Sequence, residues 1–369
     1  MQKKLSGIDI TILEMSPSVK SYEFHYIDAH VIVVSNVSTR QLLITPEVIG
    51  CGVKTFLEPV TREILGWLND KFSFCCVNVL NILRGGLNFP IEEGCFNNKI
   101  KLDAISFIAS ERIFIDNKVS RIETKYRKIA TIEKSTLIMG DIIASGETLK
   151  NALDLAIEQY VLAHKTLERI IIFTIGTLHT LSVIAEYNRK LMQRWSKFKG
   201  IICVFYEGIF STYLNNGVTG LNLPHVDFIV NGGFIAPEYR CALLGGHSTL
   251  FEKCIIYDGG ARRFEISDHI KSILTYWERL SSLTLNVSIS EFIKEKIGYI
   301  NTIEYANWLN INNYTSLYKS SICESLQKAF EFEIINITRL LSYNLVDISK
   351  KRYKELQSYY GNYFNVAEN

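Results

Sequence analysis

The chain has 369 residues, 47% hydrophobic and 21% charged, enough apolar material for a sizeable core and unlike disordered or collagen-like chains. Its net charge of +2 gives no global field for nucleic acid or an anionic membrane, so any polyanion site has to be local. No apolar run reaches the ~18 residues of a membrane span, and MQKKLSGIDITILEM turns polar before any hydrophobic segment, so neither a span nor a secretory signal is expected.

In chain order, Val31 to Val34 and Gln41 to Thr45 read as short strands, and Val53 to Asp70 as an amphipathic helix with Phe56, Leu57, Val60, Ile64 and Leu68 on one side. Phe74 to Leu83 is an apolar strand ending on Arg84-Gly85-Gly86. A charged stretch follows, then strands at Ala104 to Ile108 and Thr136 to Met139, a helix from Thr148 to about His164, and a strand at Ile170 to Ile175. Leu178 to Trp195 is helical, with strands after it at Gly200 to Tyr206 and Val226 to Val230.

Such alternation, with strands apolar enough to be buried on both faces, predicts an α/β protein with a central, mostly parallel sheet flanked by helices. From about Ser267 the pattern turns helical: Asp268 to Leu283, Ile289 to Ile300, Thr302 to Leu309 and Ile322 to Tyr343. The expected division is a lead-in at 1–52, an α/β core at 53–265, and a helical C-terminal region at 266–369 serving as a second domain, an oligomerisation element or a partner surface. The basic run Lys350-Lys351-Arg352 reads as a solvated helix face.

Eight cysteines (Cys51, Cys75, Cys76, Cys95, Cys203, Cys241, Cys254 and Cys323) stand in apolar contexts, with no C-x-x-C pair and no His partner at metal-ligand spacing. They read as buried thiols of a reducing cytoplasm. P-loop, Rossmann, zincin and nucleophile-elbow motifs are absent from the sequence.

Chemistry concentrates where apolar strands end. After Ile138-Met139 comes Gly140-Asp141-Ile142-Ile143-Ala144-Ser145-Gly146-Glu147-Thr148, the start of a helix. Unpaired N–H groups at the positive end of a helix dipole suit a phosphate; small residues at 144–146 let it approach, and Ser145 and Thr148 add hydroxyls. Asp141 stands where its carboxylate would meet the hydroxyls of a sugar carrying that phosphate. An ordinary capped helix start is the plain alternative.

This stretch resembles the ribose-phosphate motif of the type I phosphoribosyltransferases, with Gly140 standing where the family has the first of two acids. Asn81-Ile82-Leu83-Arg84-Gly85-Gly86-Leu87 resembles the family's pyrophosphate loop, and the wording of both is nearest the uracil branch. The resemblance spans about residues 53–265. It implies transfer of ribose 5-phosphate from phosphoribosyl pyrophosphate (PRPP) to a nitrogenous base of pyrimidine type, with release of pyrophosphate. In that scheme Asp141, Ala144, Ser145, Gly146, Glu147 and Thr148 hold the ribose and its 5-phosphate, Leu83, Arg84, Gly85 and Gly86 the pyrophosphate, and Asp141, Arg84 and Arg112 do the catalytic work. Magnesium would enter through the oxygens of PRPP, with no protein cluster dedicated to it.

The basic stretch from Asn97 to Lys128 corresponds to the family's flexible loop, which closes over the donor. Asn231-Gly232-Gly233-Phe234, with Phe234 to stack on a ring, and Glu207 are candidates for the base pocket; Tyr257 to Arg263 is a weaker one. Ala144 stands where purine enzymes of the family carry an Asp, which disfavours a 6-oxopurine acceptor. His179, at a helix start, reads as a surface histidine. The second reading is a regulator or effector of the same fold, in a conflict system for example, that binds PRPP or a nucleotide, or cleaves one, and acts through 266–369.

Overall fold

The computed structural model describes residues 5, 8–14, 16–115, 118–212, 218, 221, 228–253, 259–282, 288–300, 303–317 and 323–367. Its strands are β1 (Thr11–Glu14), β2 (Lys20–Tyr26), β3 (Ala29–Ser35), β4 (Val77–Leu83), β5 (Leu102–Ile115), β6 (Lys118–Lys128), β7 (Ser135–Ile143), β8 (Leu167–Thr177), β9 (Ile201–Thr212) and β10 (Phe228–Ile229). The sheet order is β1-β2-β3-β9-β8-β7-β4-β5-β6, with β10 on β9. The pairs β3·β9, β8·β7, β7·β4 and β4·β5 are parallel; the edge pairs β1·β2, β2·β3 and β5·β6 run antiparallel.

The helices between these strands are α1 (Val37–Ile44), α2 (Gly52–Phe72), α3 (Ile91–Asn97), α4 (Glu147–Leu162) and α5 (Leu178–Arg194). The protein is thus an α/β chain with a mostly parallel central sheet flanked by helices. Its central strands are buried almost from end to end because neighbours cover both faces; β7 and β8 show it best. On α2 the predicted stripe holds for Leu57, Val60, Ile64 and Leu68, all buried, whereas Phe56 is half-buried.

Several expectations are corrected. Gln41 to Thr45 is not a strand: it lies mostly in α1, which Asn36 starts by accepting a 2.8 Å hydrogen bond from the Ser38 N–H. The strand expected at Val226 to Val230 is the two-residue β10, and 226–227 lie outside the described residues. The charged stretch is a long hairpin, β5 and β6. Among the described cysteines only Cys95 and Cys203 are buried, whereas Cys51 and Cys75 are exposed; Cys254 lies outside the described residues.

The chain folds as two compact units: Met1, Gly7–Thr39 and Cys51–Ile209 in one, Gln2–Ser6, Arg40–Gly50 and Phe210–Asn369 in the other. The boundary therefore falls earlier than 265, and the second unit takes in the 40–50 segment. That unit contains α6 (Pro237–Gly245), α7 (Gly259–Phe264), α8 (Ile266–Ser281), α9 (Ile289–Ile297), α10 (Tyr305–Ile311), α11 (Cys323–Leu341) and α12 (Leu345–Ala367). No helix among the described residues is long and apolar enough to cross a membrane.

Polar side chains bind the 40–50 segment into the helical unit. Buried Arg262 donates to the carbonyls of Leu42 (2.9 Å), Thr45 (2.5 Å) and Val48 (2.5 Å), a cation at the C-terminal end of α1 where the helix dipole favours it. His269 and Tyr360 both reach the Pro46 carbonyl at 3.0 Å. Arg352 bridges Glu47 (2.8 Å) and Glu252 (2.7 Å), so it is a clamp and not part of a solvated face. Burial pushes the Glu252 carboxyl up to about 7 against the pull of Arg352 and a 3.0 Å hydrogen bond from Trp277 Nε1. Deeper in the unit, Arg240 and Glu333 form a buried ion pair, with Tyr299 donating to the same carboxylate.

Candidate functional site

β4 and β7 are parallel neighbours with Asn81 opposite Gly140, so the loops that follow them leave the same end of the sheet. That shared edge is where open α/β sheets bind ligands. β7 runs to Ile143, and Ala144, Ser145 and Gly146 make the turn into the 16-residue α4. Gly146 has φ +83°, and a Cβ there would lie 2.8 Å from Val183 Cγ2, so conformation and space both demand glycine. As N-cap it offers no side-chain acceptor to the first N–H groups of α4. Ser145 and Glu147 are exposed, and Glu147 meets Lys150 Nζ at 3.1 Å.

The next helix fixes this turn from behind. Thr177 caps α5 in a capping box with Thr180, and its Oγ1 also donates to the Ala144 carbonyl at 2.6 Å. His179, whose N–H donates to Thr177 Oγ1, is an exposed first-turn residue, in line with the surface reading.

Opposite, β4 ends at Leu83, followed by a cis Leu83–Arg84 peptide, an exposed Arg84 and a 3-10 turn over Gly85–Asn88. Leu87 N–H donates to the Arg84 carbonyl and Phe89 N–H to that of Gly86, both at 3.1 Å. The two motifs meet at Asp141. A Cβ on Gly85 would stand 2.5 Å from Asp141 Oδ1, and one on Gly86 would stand 3.0 Å from the Gly140 carbonyl, so both glycines are close-approach positions. Asp141 is only 7% exposed, and its Oδ1 accepts from the Ile142 N–H at 2.9 Å.

The residue that sequence reasoning missed is Phe89. A Cβ at Gly140 would fall 2.6 Å from Phe89 Cβ and 2.7 Å from its Cδ2, with Cγ closer still. Where the family motif has its first acid, this chain has an aromatic ring. Phe89 is buried and packs on Tyr206 (5.9 Å between centroids), which packs in turn on Phe173. The available signal was Gly140 itself, since a glycine inside an apolar strand marks close approach by another group.

The hairpin β5–β6 is strapped to α4: Asn151 Nδ2 donates to Ser110 Oγ at 2.8 Å and Arg127 Nη1 to Glu158 at 2.9 Å. Described cations of this stretch meet local acids, Lys101 with Asp103 (2.9 Å) and Lys125 with Glu123 (3.0 Å). It is thus a paired hairpin, not an irregular loop. Arg112 pairs with Ile122 in the ladder, and its side chain lies outside the described residues.

Two base-pocket candidates are corrected. Glu207, fully buried, accepts from Ser35 Oγ at 2.5 Å, from the Asn36 N–H at 2.9 Å, and from Thr39 Oγ1, which commits its carboxylate to the start of α1. Phe234, 0% exposed, stands edge-on to Tyr314 in the helical unit and offers no free face for a base. Beside it, Asn231 lies against Gly298, Gly232 has φ +97°, and the Gly233 carbonyl accepts from Asn313 Nδ2 at 3.2 Å. In the weaker candidate stretch, Tyr257 and Asp258 lie outside the described residues, and Arg262 is the buried donor to the carbonyls of Leu42, Thr45 and Val48.

Among the described residues, no group of three or more His, Cys, Asp or Glu could hold a metal ion. The ribose end offers one carboxylate, Asp141, with Phe89 closing the second place. This donor set does not fit magnesium held by the protein.

No protein-family model matches the chain, and no curated protein matches it. Solved structures that are similar include the AQ2163 protein of Aquifex aeolicus (11% identity, 46% of this chain and 81% of that one, TM-score 0.33). A hypoxanthine phosphoribosyltransferase of Staphylococcus aureus matches at 15% identity over 50% of this chain and 89% of its own, with a TM-score of 0.27. The L. donovani hypoxanthine-guanine enzyme matches at 12% over 44% and 86%, with a TM-score of 0.28. The expected nearness to the uracil branch draws no support from them.

Proposed function

We propose that the α/β unit is phosphoribosyltransferase-like and grips a 5-phosphorylated ribose. In its enzymatic form the donor is PRPP, the acceptor a nitrogenous base, and the product pyrophosphate; a pyrimidine-type acceptor belongs to this reading as the family wording suggests it. The observation that carries the proposal is the meeting of Asp141 with Gly85, which sets a carboxylate between an uncapped helix start and an arginine-bearing glycine turn.

In this scheme the N–H groups of α4 take the 5-phosphate, together with the hydroxyls of Ser145 and Thr148 and the small residues Ala144 and Gly146. Asp141 accepts from a ribose hydroxyl. Arg84 and the backbone from Leu83 to Gly86 take up the charge that leaves with pyrophosphate as the bond from C1 to oxygen breaks and a bond to the base nitrogen forms. Arg112 is the candidate cation of the hairpin. Magnesium in such chemistry neutralises diphosphate oxygens; with one carboxylate at the ribose end, no step is assigned to a protein-held ion.

A specific observation favours a second reading. Phe89 in the place of the first acid suits a protein that binds PRPP or a nucleotide as a signal, or cleaves a nucleotide, and acts through 266–369. Phe332 and Ile335, exposed on α11, are the apolar side chains such a region would offer to a partner or a second copy.

Thermal unfolding with ribose 5-phosphate, PRPP, UMP and AMP, beside an assay of pyrophosphate release, tests both readings. A ligand-dependent rise in Tm that disappears in Asp141→Asn is expected. Release of pyrophosphate with some base selects the transferase, and binding without turnover the effector. No shift with any of the four ligands would sink the proposal.

A further inference from the structure

The hairpin β5–β6 has one covered face and one bare one. Side chains alternate between the two faces of a strand. Ser106 and Ile108 are 0% exposed on the face that α4 covers, where Asn151 bonds Ser110 and Arg127 bonds Glu158. The other face carries Ile105, Phe107 and Ala109 of β5, with Lys128 opposite Phe107 and Tyr126 opposite Ala109 on β6. On it Ile105 is 42% and Tyr126 50% exposed, and Phe107 is half-buried.

The short helix α3 extends this bare face. Its Gly94 lies against α2, since a Cβ there would fall 2.7 Å from Leu65 Cδ1, while Glu92 accepts from Asn81 Nδ2 at 2.8 Å. Asn81 is the β4 neighbour of Phe107, and Val79 that of Ile105. As the crossover between two parallel strands, α3 returns against their direction. One helical turn and two strand residues each span about 6 Å, so Phe96, one turn beyond Glu92, stands at the level of Ile105. Phe96 is 81% exposed. An aromatic side chain has roughly 200 Å² to bury, so Phe96, Ile105 and Tyr126 together offer roughly 300 Å², the greater part of the apolar share of a standard footprint of about 800 Å².

The charges at the border say what fits. Glu93 pairs with Lys54 and Asp103 with Lys101 (2.9 Å); Lys99 and Lys128 are exposed, and Lys128 makes no ion pair among the described residues. A polyanion would meet the two acids. A second copy turned about an axis along β5 sets the α3 border of each chain, with Glu93, over the β6 border of the other, with Lys128, acid to base. We propose that this face joins two copies of the chain into a symmetric dimer through the α/β unit, with Phe96 and Ile105 as its apolar anchors. The contact is independent of the ribose-phosphate reading and of residues 266–369.

Sedimentation equilibrium of the full chain between about 1 and 100 µM tests it, with a monomer–dimer equilibrium in the micromolar range or tighter as the expected result. Phe96→Asp and Ile105→Lys should each raise the dimer dissociation constant about 30-fold or more, as the loss of an interface anchor does. Both side chains are exposed in the single chain, so neither substitution opens the core. Ile335→Asp on α11 should leave the constant within about twofold of the wild type. A wild type that stays monomeric, or a dimer that keeps its affinity in both hairpin-face variants, overturns the proposal. Dissociation by Ile335→Asp alone would place the contact on α11 and overturn it as well. So would a monomer that binds single-stranded oligouridylate and loses it in Phe96→Asp, since the face would then belong to nucleic acid.

Discussion

Phe89 and Gly140 are packed so closely that the strand has no room for a side chain at 140. The atoms involved belong to the root of the phenylalanine side chain, so relief requires movement of backbone and not merely of a ring. Gly140→Ala is therefore expected to destabilise the α/β unit by about 2–3 kcal/mol, the upper range for overpacking a filled core. Urea unfolding would check it, and Phe89→Ala in the same chain should recover part of the loss. An unchanged midpoint in Gly140→Ala would mean that the ring is not where the contact places it.

Glu207 makes a second local demand. Three donors, from Ser35, Asn36 and Thr39, converge on its carboxylate in the core. Glu207→Ala leaves them without their acceptor, and a loss of about 3 kcal/mol is expected. Glu207→Gln, which keeps an acceptor oxygen, should lose less. Equal losses would argue that the cavity and not the hydrogen bonds dominates.

The buried Arg240–Glu333 pair in the helical unit invites a different comparison. Nε donates to Oε2 at 3.0 Å and Nη2 to Oε1 at 2.5 Å. Removing either charge strands the other, so Arg240→Met and Glu333→Leu should each cost about 3–5 kcal/mol, while the double variant should lie close to the wild type. A double variant as unstable as the sum of the singles would contradict that account.

His30 makes a contribution to stability that is lost on mild acidification. Burial lowers this imidazole to about 4, with Glu23 pulling it up and His25 and Lys71 adding to the lowering; His25 stacks on it at 5.2 Å. The unfolded value lies near 6.5, so between 6.5 and 4 the unfolded chain binds the extra proton. The stabilisation is complete above pH 6.5 and is lost as pH falls towards 4, a change of about 3 kcal/mol at most. Between pH 7 and pH 5 the wild type should lose denaturant midpoint relative to His30→Gln, since the Glu252 carboxyl, raised to about 7, acts in the opposite direction but equally in both proteins.

How much of this was written in the sequence depends on the range of the forces involved. The central strands could be read because burial on both faces leaves a continuous apolar run, and α2, α4 and α5 because their stripes are periodic. Gln41 to Thr45 misled because Leu-Leu-Ile-Thr has strand-like composition while its structure is set by a cap five residues earlier, at Asn36. The role of Arg352 was hidden for another reason. On its own helix it belongs to a basic run, and its partners Glu47 and Glu252 are about 300 and 100 residues away in the chain. At the candidate site the glycines and Asp141 were legible as local chemistry. Phe89 was not, because nothing in a single sequence ties it to Gly140.

The grip of Arg262, His269, Tyr360 and Arg352 on residues 42–48 bears on how this chain can be dissected. A fragment ending near residue 265, the cut that the change from alternating to helical pattern suggests, would keep the 40–50 segment but lose three of the four side chains that hold it. The segment would then carry an uncovered Pro46 carbonyl and an unanswered Glu47 in the short link between α1 and α2. The helical region is interleaved with the rest of the sequence, and a faithful excision would need a break on each side of residues 40–50 as well as one between Ile209 and Phe210, with the 40–50 piece carried along.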